Sequence, residues 1–376
     1  MTPEIAAALH DAITRLRALE LGDGFEPRAA ASLVEAGLHR LCVPTDAGGL
    51  GASMVEAAEV LLALGAIDGS TALGFAMQVH VVGAMRDAVV FPADVRERLY
   101  RAIVEDGSLL NNAATEEGGG SPARGAIPGT RATPGEVAGT WRLIGEKTWT
   151  TWLPNLTHAF VSARLGETEP AEVGTFLVDL AADGVERSAG FAAMGMRGSA
   201  SDRLVMHDVA AELVQRRGPG EPDPRGASTL AWFGVAIAAV YLGVGEGARD
   251  DVARWAVARR PGDGSTAVAD IPSVQLRLGR MDADLRAARI VLLDVARRWD
   301  KDRDAADVGL AKLVATSAAV RATDEALRIA GGPGFLAGRL ERAFRDARAG
   351  LINPPLEDVA LTGFARAVVR RTTDGG

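Results

Sequence analysis

Cysteine is nearly absent from this 376-residue chain, with Cys42 the single example. One thiol excludes an intrachain disulfide and any multi-cysteine metal site. Its apolar setting, L-H-R-L-C-V-P, marks it as structural rather than reactive. Lysine is scarce as well: of 41 basic residues only Lys147, Lys301 and Lys312 are lysines, which leaves 38 arginines, a bias of composition rather than of function. The five histidines lie far apart, with no H-x-x-H or H-E-x-x-H spacing, so a metal enzyme is not indicated. No basic block interrupts a net charge of −8, which argues against nucleic acid or an anionic membrane as partner. The N-terminus, M-T-P-E-I-A-A-A-L-H, lacks the charged-then-apolar pattern of a signal peptide. The most apolar run, 230–244, is too short to span a bilayer. A cytoplasmic location is the expectation.

What is present is an ordinary globular composition, 48% hydrophobic and 24% charged, long enough for two or three domains. Three- and four-residue apolar steps predict helices over 1–20, 27–36, 54–66, 70–88 and 92–105. Ser53 is placed to cap the third of these. His80 sits inside an apolar helix and reads as a core residue. From about residue 110 the texture changes to short alternating runs broken by Gly, Pro and acidic residues, which predicts a strand-rich segment. R-G-P-G-E-P-D-P at 217–224 is a linker. Beyond it, long helices are predicted over 228–258, 271–300 and 307–331, with a last one running through Arg366. The first carries a small-residue face, Gly234, Ala238, Gly243 and Gly247, suited to close helix contact. The expected organisation is helical over 1–110, a β domain over 111–217 and a helical bundle over 225–376.

The chemistry concentrates between Thr115 and Trp152. T-E-E-G-G-G-S offers backbone N–H groups and a hydroxyl to an anion. Downstream, W-T-T-W reads as strand, which places Trp149 and Thr151 on one face. An aromatic plate beside a hydroxyl suits a planar heterocycle. A plain hairpin with a buried Trp accounts for the same residues.

Five segments, in order, resemble the acyl-CoA dehydrogenase family: E-A-G-L-H-R-L-C-V-P-T-D-A-G-G-L-G, T-E-E-G-G-G-S, G-E-K-T-W-T-T, M-G-M-R-G-S-A-S and G-G-P-G-F followed by R-A-F-R-D-A-R. The resemblance covers nearly the whole chain and implies an α+β fold: an N-terminal helical domain, a middle β-barrel-like domain and a C-terminal four-helix bundle. It further implies FAD as cofactor, an acyl-CoA or acyl-carrier thioester as substrate, a homodimer or homotetramer, and an electron-transfer flavoprotein as a possible redox partner. Position by position, Thr115 matches the threonine at the flavin's pyrimidine edge, Gly120 and Ser121 the pair at the phosphates, and Trp149 the tryptophan against the isoalloxazine. Thr151 matches the threonine near flavin N5. Gly331 and Gly332 match the pair that contacts the neighbouring subunit's FAD.

The chain departs from the pattern where the reaction is decided. Dehydrogenation in this family needs a carboxylate to take the substrate's α-proton. Counting from Arg345, the usual glutamate position holds Pro354, within N-P-P-L-E-D, and the alternative position on the first bundle helix holds Phe233. The Arg-x-x-Phe-Gly motif at the partner's FAD is replaced by A-R-R-P-G-D-G-S-T, and Arg328 stands where a glutamine is usual. Three readings stay open. Glu357 or Asp358 supplies a relocated base for a dehydrogenase; or the chain is a flavin-dependent monooxygenase, which needs no such base; or it is a non-catalytic flavin-binding relative. Against the first stands the plain role of Glu357 at the start of a helix.

Overall fold

The computed structural model describes residues 1–118, 127–137, 139–167, 170–262 and 264–374. The chain forms two compact units: Met1–Ser53, Leu73–Ala193 and Arg197–Phe233 in the first, Met54–Ala72, Met194–Met196 and Gly234–Gly376 in the second.

In the first unit, α1 (Pro3–Ala18) starts on Thr2, whose hydroxyl accepts the Ile5 N–H, and buries Ile5, Ala12 and Leu16 on one stripe. It is followed by α2 (Pro27–Glu35), the larger part of α4 (Gly69–Ala88) and α5 (Ala93–Asp106). Helix α4 is apolar around its circumference and is accordingly buried along most of its length. Its one amide, Gln78, ties helix to sheet: Nε2 donates to the His39 and Ser108 carbonyls, and Oε1 accepts the Leu110 N–H at 2.7 Å. His80 is buried, as its apolar helix implies, and desolvation pushes its imidazole down to about 4, so it is neutral.

The strands are β1 (Leu110–Ala113), β2 (Arg131–Pro134), β3 (Trp141–Thr150), β4 (His158–Leu165), β5 (Glu172–Asp179), β6 (Val185–Ser188) and β7 (Asp202–Arg217). They pair in the order β1-β4-β2-β3-β7-β5, with β6 on β7. Because β5 also pairs with β4, the pairings close on themselves, and the expected barrel-like sheet is present. Ala132, Leu143, Val161, Phe176 and Leu204 are fully buried by that closure.

The second unit is helical: α3 (Met54–Ile67), α6 (Gly226–Ala258) from Gly234 onward, α7 (Pro272–Asp302), α8 (Val308–Ala330), the short α9 (Gly332–Phe335), α10 (Arg339–Ile352) and α11 (Glu357–Asp374). Gly243 and Gly247 let α6 touch α3, since a Cβ there would stand 2.4 Å from the Leu62 carbonyl oxygen and 2.5 Å from that of Ala66. With 33 residues, α6 is long and apolar enough to cross a membrane, more than the run 230–244 suggested, but 72% of its apolar window is buried inside the protein. The first-turn amides of α3 find an unexpected partner. The carboxylate of Asp300 on α7, rather than a local residue alone, accepts Met54 N–H at 2.7 Å and Val55 N–H at 3.0 Å.

Candidate functional site

In the first unit the site is built on a carboxylate. Glu116 follows β1, and its Oε1 accepts from the Thr130 amide at 3.0 Å, the Thr130 hydroxyl at 2.7 Å and the Lys147 ammonium at 2.5 Å. Its Oε2 takes the Gly129 amide. Burial pushes Glu116 upward, but the bonds from Lys147 and Thr130 outweigh it and hold the carboxyl below its ordinary range. Lys147 is fully buried on β3, and desolvation lowers its ammonium despite the paired carboxylate. The pair pins the exit of β1 to β3. Gly120 and Ser121 lie outside the described residues.

Thr115 is exposed at this rim, and its carbonyl accepts the Thr148 amide at 2.8 Å. There β3 departs from the expected alternation. Its register against β7 shifts between Lys147 and Thr150, and Trp149 adopts φ 57° in the left-handed region. The amide of Thr151 then turns back to the Trp149 carbonyl at 3.0 Å. Trp149 and Thr151 therefore do not share a face as strand neighbours: the indole is 56% exposed and Thr151 is buried. Strain of this kind, at a bulky residue, is retained where the surroundings over-determine it.

The surroundings here do so. Phe191 meets the Trp149 ring edge-on, with centroids 5.5 Å apart, and is itself set by Asp202, whose Oδ1 accepts the Gly190 and Phe191 amides at 3.1 and 3.0 Å. Behind Thr151 runs a chain of buried hydroxyls, Thr151 Oγ1 to Ser201 Oγ and Ser201 Oγ to Ser199 Oγ, each 2.9 Å. Asn111 Nδ2 donates to the Thr151 carbonyl at 3.0 Å. An exposed indole beside a fixed hydroxyl fits the stacking and hydrogen-bonding needs of a flavin ring.

In the second unit, Gly331 ends α8 with φ 62° and ψ −141°, and Gly332 opens α9. Both are exposed, with nothing within 4 Å of an added Cβ, an open backbone surface suited to close approach. Next to them Phe335 stands 80% exposed. Arg345 and Asp346 of the R-D-A-R segment clamp the M-G-M segment: Arg345 donates to the Met194 carbonyl at 2.8 Å, and Asp346 accepts the Met196 amide. Burial pushes Asp346 up to about 6, against the lowering effect of that amide.

Glu357 is the first residue of α11, exposed in a first turn that also holds Asp358, the place of a helix-start carboxylate. The loop before it and the start of α8 both approach Gly234 of α6. A Cβ on Gly234 would meet Val308 Cγ1 at 2.3 Å and Pro355 Cδ at 3.9 Å, and one on Gly350 would meet Thr316 Cγ2 and Tyr241 Cγ, each at 2.9 Å. Asn353 Nδ2 donates to the Tyr241 hydroxyl at 2.7 Å. Between Val308 and Thr316, one helical turn from each, lies Lys312, 2% exposed. Burial pushes its ammonium down to about 8, and the Glu357 carboxylate opposes that.

Sequence reading passed over Lys312, Glu116 and Asp346. Lys312 had a signal: a rare lysine inside A-K-L-V-A-T-S-A-A, a run of small residues in a chain that otherwise uses arginine. Glu116 and Lys147 stood in quoted motifs, but their pairing needs the barrel.

A closed sheet presenting an indole plane, joined in sequence to a helical bundle, is the framework of a flavoprotein oxidoreductase. The chain belongs to the acyl-CoA dehydrogenase family: residues 8–90 match its N-terminal domain, 111–209 its middle domain and 226–353 its C-terminal domain. Among curated relatives, the putative acyl-CoA dehydrogenase YdbM of Bacillus subtilis (strain 168) is 32% identical over 352 residues, 91% of this chain and 89% of YdbM. Butyryl-CoA dehydrogenase from Megasphaera elsdenii shares the fold with TM-score 0.85 and 21% identity, over 98% of this chain and 99% of that one. KijD3, solved in complex with FMN and a dTDP-linked amino keto sugar, does so with TM-score 0.84 and 23% identity, over 98% and 94%.

Proposed function

We propose that this protein is an FAD-dependent dehydrogenase that introduces a double bond between the α- and β-carbons of an acyl thioester, carried on CoA or on a carrier-protein arm. The observation that carries the reading is the exposed Trp149 plane beside the buried Thr151 hydroxyl, in a chain 32% identical to a putative acyl-CoA dehydrogenase over 91% of its length. Trp149 and Thr151 hold and orient the flavin ring, Thr115 meets its pyrimidine edge, and Gly120 and Ser121 meet its phosphates. Gly331 and Gly332 serve the site of a neighbouring subunit in a homodimer or homotetramer. The flavin, when bound, supplies a two-electron acceptor. The chain itself supplies the plane, the hydroxyls and a group that takes the α-proton, for which Glu357, the first residue of α11, is the carboxylate. Electrons pass on to an electron-transfer flavoprotein, and the protein works in the cytoplasm.

A second reading, a flavin-dependent monooxygenase, is favoured by one observation: Pro354 and Phe233, which cannot accept a proton, stand where the resemblance places the family's base. KijD3, which shares the fold, is solved with FMN and a sugar nucleotide. A flavin-binding relative without activity is the third reading. Anaerobic mixing with a panel of acyl-CoAs separates them. Bleaching of the flavin's visible absorbance supports the dehydrogenase. Absence of bleaching, with an oxygen adduct formed from chemically reduced flavin, replaces it with the monooxygenase. Neither signal leaves the non-catalytic relative.

A further inference from the structure

Two serines of the M-G-M-R-G-S-A-S segment, Ser199 and Ser201, have no part in the reading above. Ala200, between them, sits at φ 40°, in the left-handed region that a side chain rarely adopts. Across that turn Ser199 Oγ and Ser201 Oγ stand 2.9 Å apart, and Ser201 Oγ lies 2.9 Å from Thr151 Oγ1. Both ends of the row are fixed through the backbone. The Trp152 amide donates to the Ser199 carbonyl at 2.8 Å, and Asn111 Nδ2 to the Thr151 carbonyl at 3.0 Å. A hydroxyl carries one proton and can both give and accept a hydrogen bond. Three hydroxyls joined by two bonds use two of their three protons, and the third is left at one end of the row. Ser199 is 0% exposed, and among the described residues its hydroxyl has no partner but Ser201. A proton left there would be a buried donor without an acceptor, which costs the desolvation of that group. The surplus proton therefore belongs to Thr151, at the less enclosed end, 8% exposed and two residues from the Trp149 plane.

We propose that Ser199 and Ser201 are positioning residues that fix the Thr151 hydroxyl as a donor, so that the site recognises a ring atom with a lone pair, the unprotonated N5 of oxidised flavin. The proposal rests on the flavin reading above, which puts Thr151 at the ring, and holds whichever reaction follows. Donation runs from Ser199 to Ser201, from Ser201 to Thr151 and from Thr151 to the ring. Each hydroxyl accepts from the one behind it, which strengthens its own donation. Turning the row around to accept from a ring N–H would strand the Ser199 proton in a fully buried place. The row thus favours flavin with a bare N5 over flavin with N5–H. Nothing is transferred along it, and no covalent bond is made or broken. Neither serine touches the flavin; both act through Thr151.

The probes are FAD and 5-deaza-FAD, whose C–H in place of N5 offers no lone pair, each titrated into the flavin-free protein by calorimetry. Taking the ratio of the two affinities within one variant cancels any general loosening of the site. Wild type is expected to prefer FAD by about 10-fold, the scale of one hydrogen bond, and Thr151→Val to bind the two alike. Ser201→Ala and Ser199→Ala should each cut the preference to about 3-fold or less, since a hydroxyl released from the row turns freely. Ser201→Thr, which keeps the hydroxyl, should keep the preference. Beside Thr151→Val, Ser201→Ala should change the ratio no further. A full preference in both alanine variants overturns the serines' role and leaves Thr151 at the ring. A Ser201→Ala effect that persists beside Thr151→Val overturns it too, because the serine would then act by another route. Equal binding of both probes by wild type removes Thr151 from N5 and the proposal with it. Binding of neither probe removes the flavin reading itself.

Discussion

Phe191 meets Trp149 edge to ring, with centroids 5.5 Å apart and planes at 78°. The contact props an indole that β3 would otherwise have turned inward, and the indole stays 56% exposed. Trp149→Ala should therefore cost flavin affinity by about 2- to 10-fold, on the scale of one lost aromatic stacking contact. Folding stability should stay within about 0.5 kcal/mol, because the ring is mostly exposed. Fluorescence titration of the apoprotein with FAD, beside urea denaturation, checks both. Unchanged FAD affinity would remove Trp149 from the site.

The Glu116–Lys147 pair is asymmetric. Glu116→Gln leaves the fully buried Lys147 ammonium without its countercharge and should cost about 3–5 kcal/mol. Lys147→Met leaves Glu116 with its three donors from Gly129 and Thr130 and should cost distinctly less. The carboxyl is held below its ordinary range in the folded chain, so its contribution is present above the unfolded value and is lost as pH falls through the folded one. Denaturant midpoints of both variants between pH 4 and 8 test the order; equal losses would contradict it.

Asp346 titrates the other way. Its folded value, about 6, lies above the ordinary 3.8, so between these the folded chain binds more protons than the unfolded one and stability falls as pH rises. Above about 6 the ionised carboxylate carries a constant penalty of about 2–3 kcal/mol. Asn keeps an acceptor for the Met196 amide without the charge. Asp346→Asn is thus expected to be as stable as wild type near pH 4 and more stable at pH 8. A variant weaker than wild type at pH 8 would show that Arg342 and Arg345 repay the burial.

Lys312 carries a similar burden with opposite charge. Its folded value near 8 lies below the ordinary 10.5, so the folded chain binds fewer protons between the two and stability rises with pH there. Below about 8 the buried ammonium costs up to about 3 kcal/mol. Lys312→Met should be more stable than wild type at pH 7 by an amount of that order, and the gain should fade above pH 10. A destabilised Lys312→Met at pH 7 would show the amine to be a structural support.

Much of the fold was legible because periodicity reports burial directly. The apolar steps of 1–20 and 271–300 became α1 and α7, and the alternating runs after residue 110 became strands of a closed sheet. What escaped was set by partners distant in sequence. Asp300 on the first turn of α3 and Asp346 on Met196 are bonds across 246 and 150 residues. The bulge at Trp149 escaped for a different reason. W-T-T-W carries strong strand preference, and neither glycine nor proline marks the left-handed turn that separates Trp149 from Thr151. Lys312 was visible as a lysine but not as a buried one, since helix spacing alone does not say which polar residue tertiary packing will cover.

The central claim is that the Trp149 plane serves a flavin that oxidises an acyl thioester. Its most direct test is anaerobic addition of butyryl-CoA and longer acyl-CoAs to the purified protein, with the visible spectrum and the thioester's mass followed together. The account predicts a yellow protein whose denaturation releases FAD, whose colour bleaches with at least one thioester, and whose product has lost two hydrogens. A flavin that stays oxidised with every thioester would contradict it.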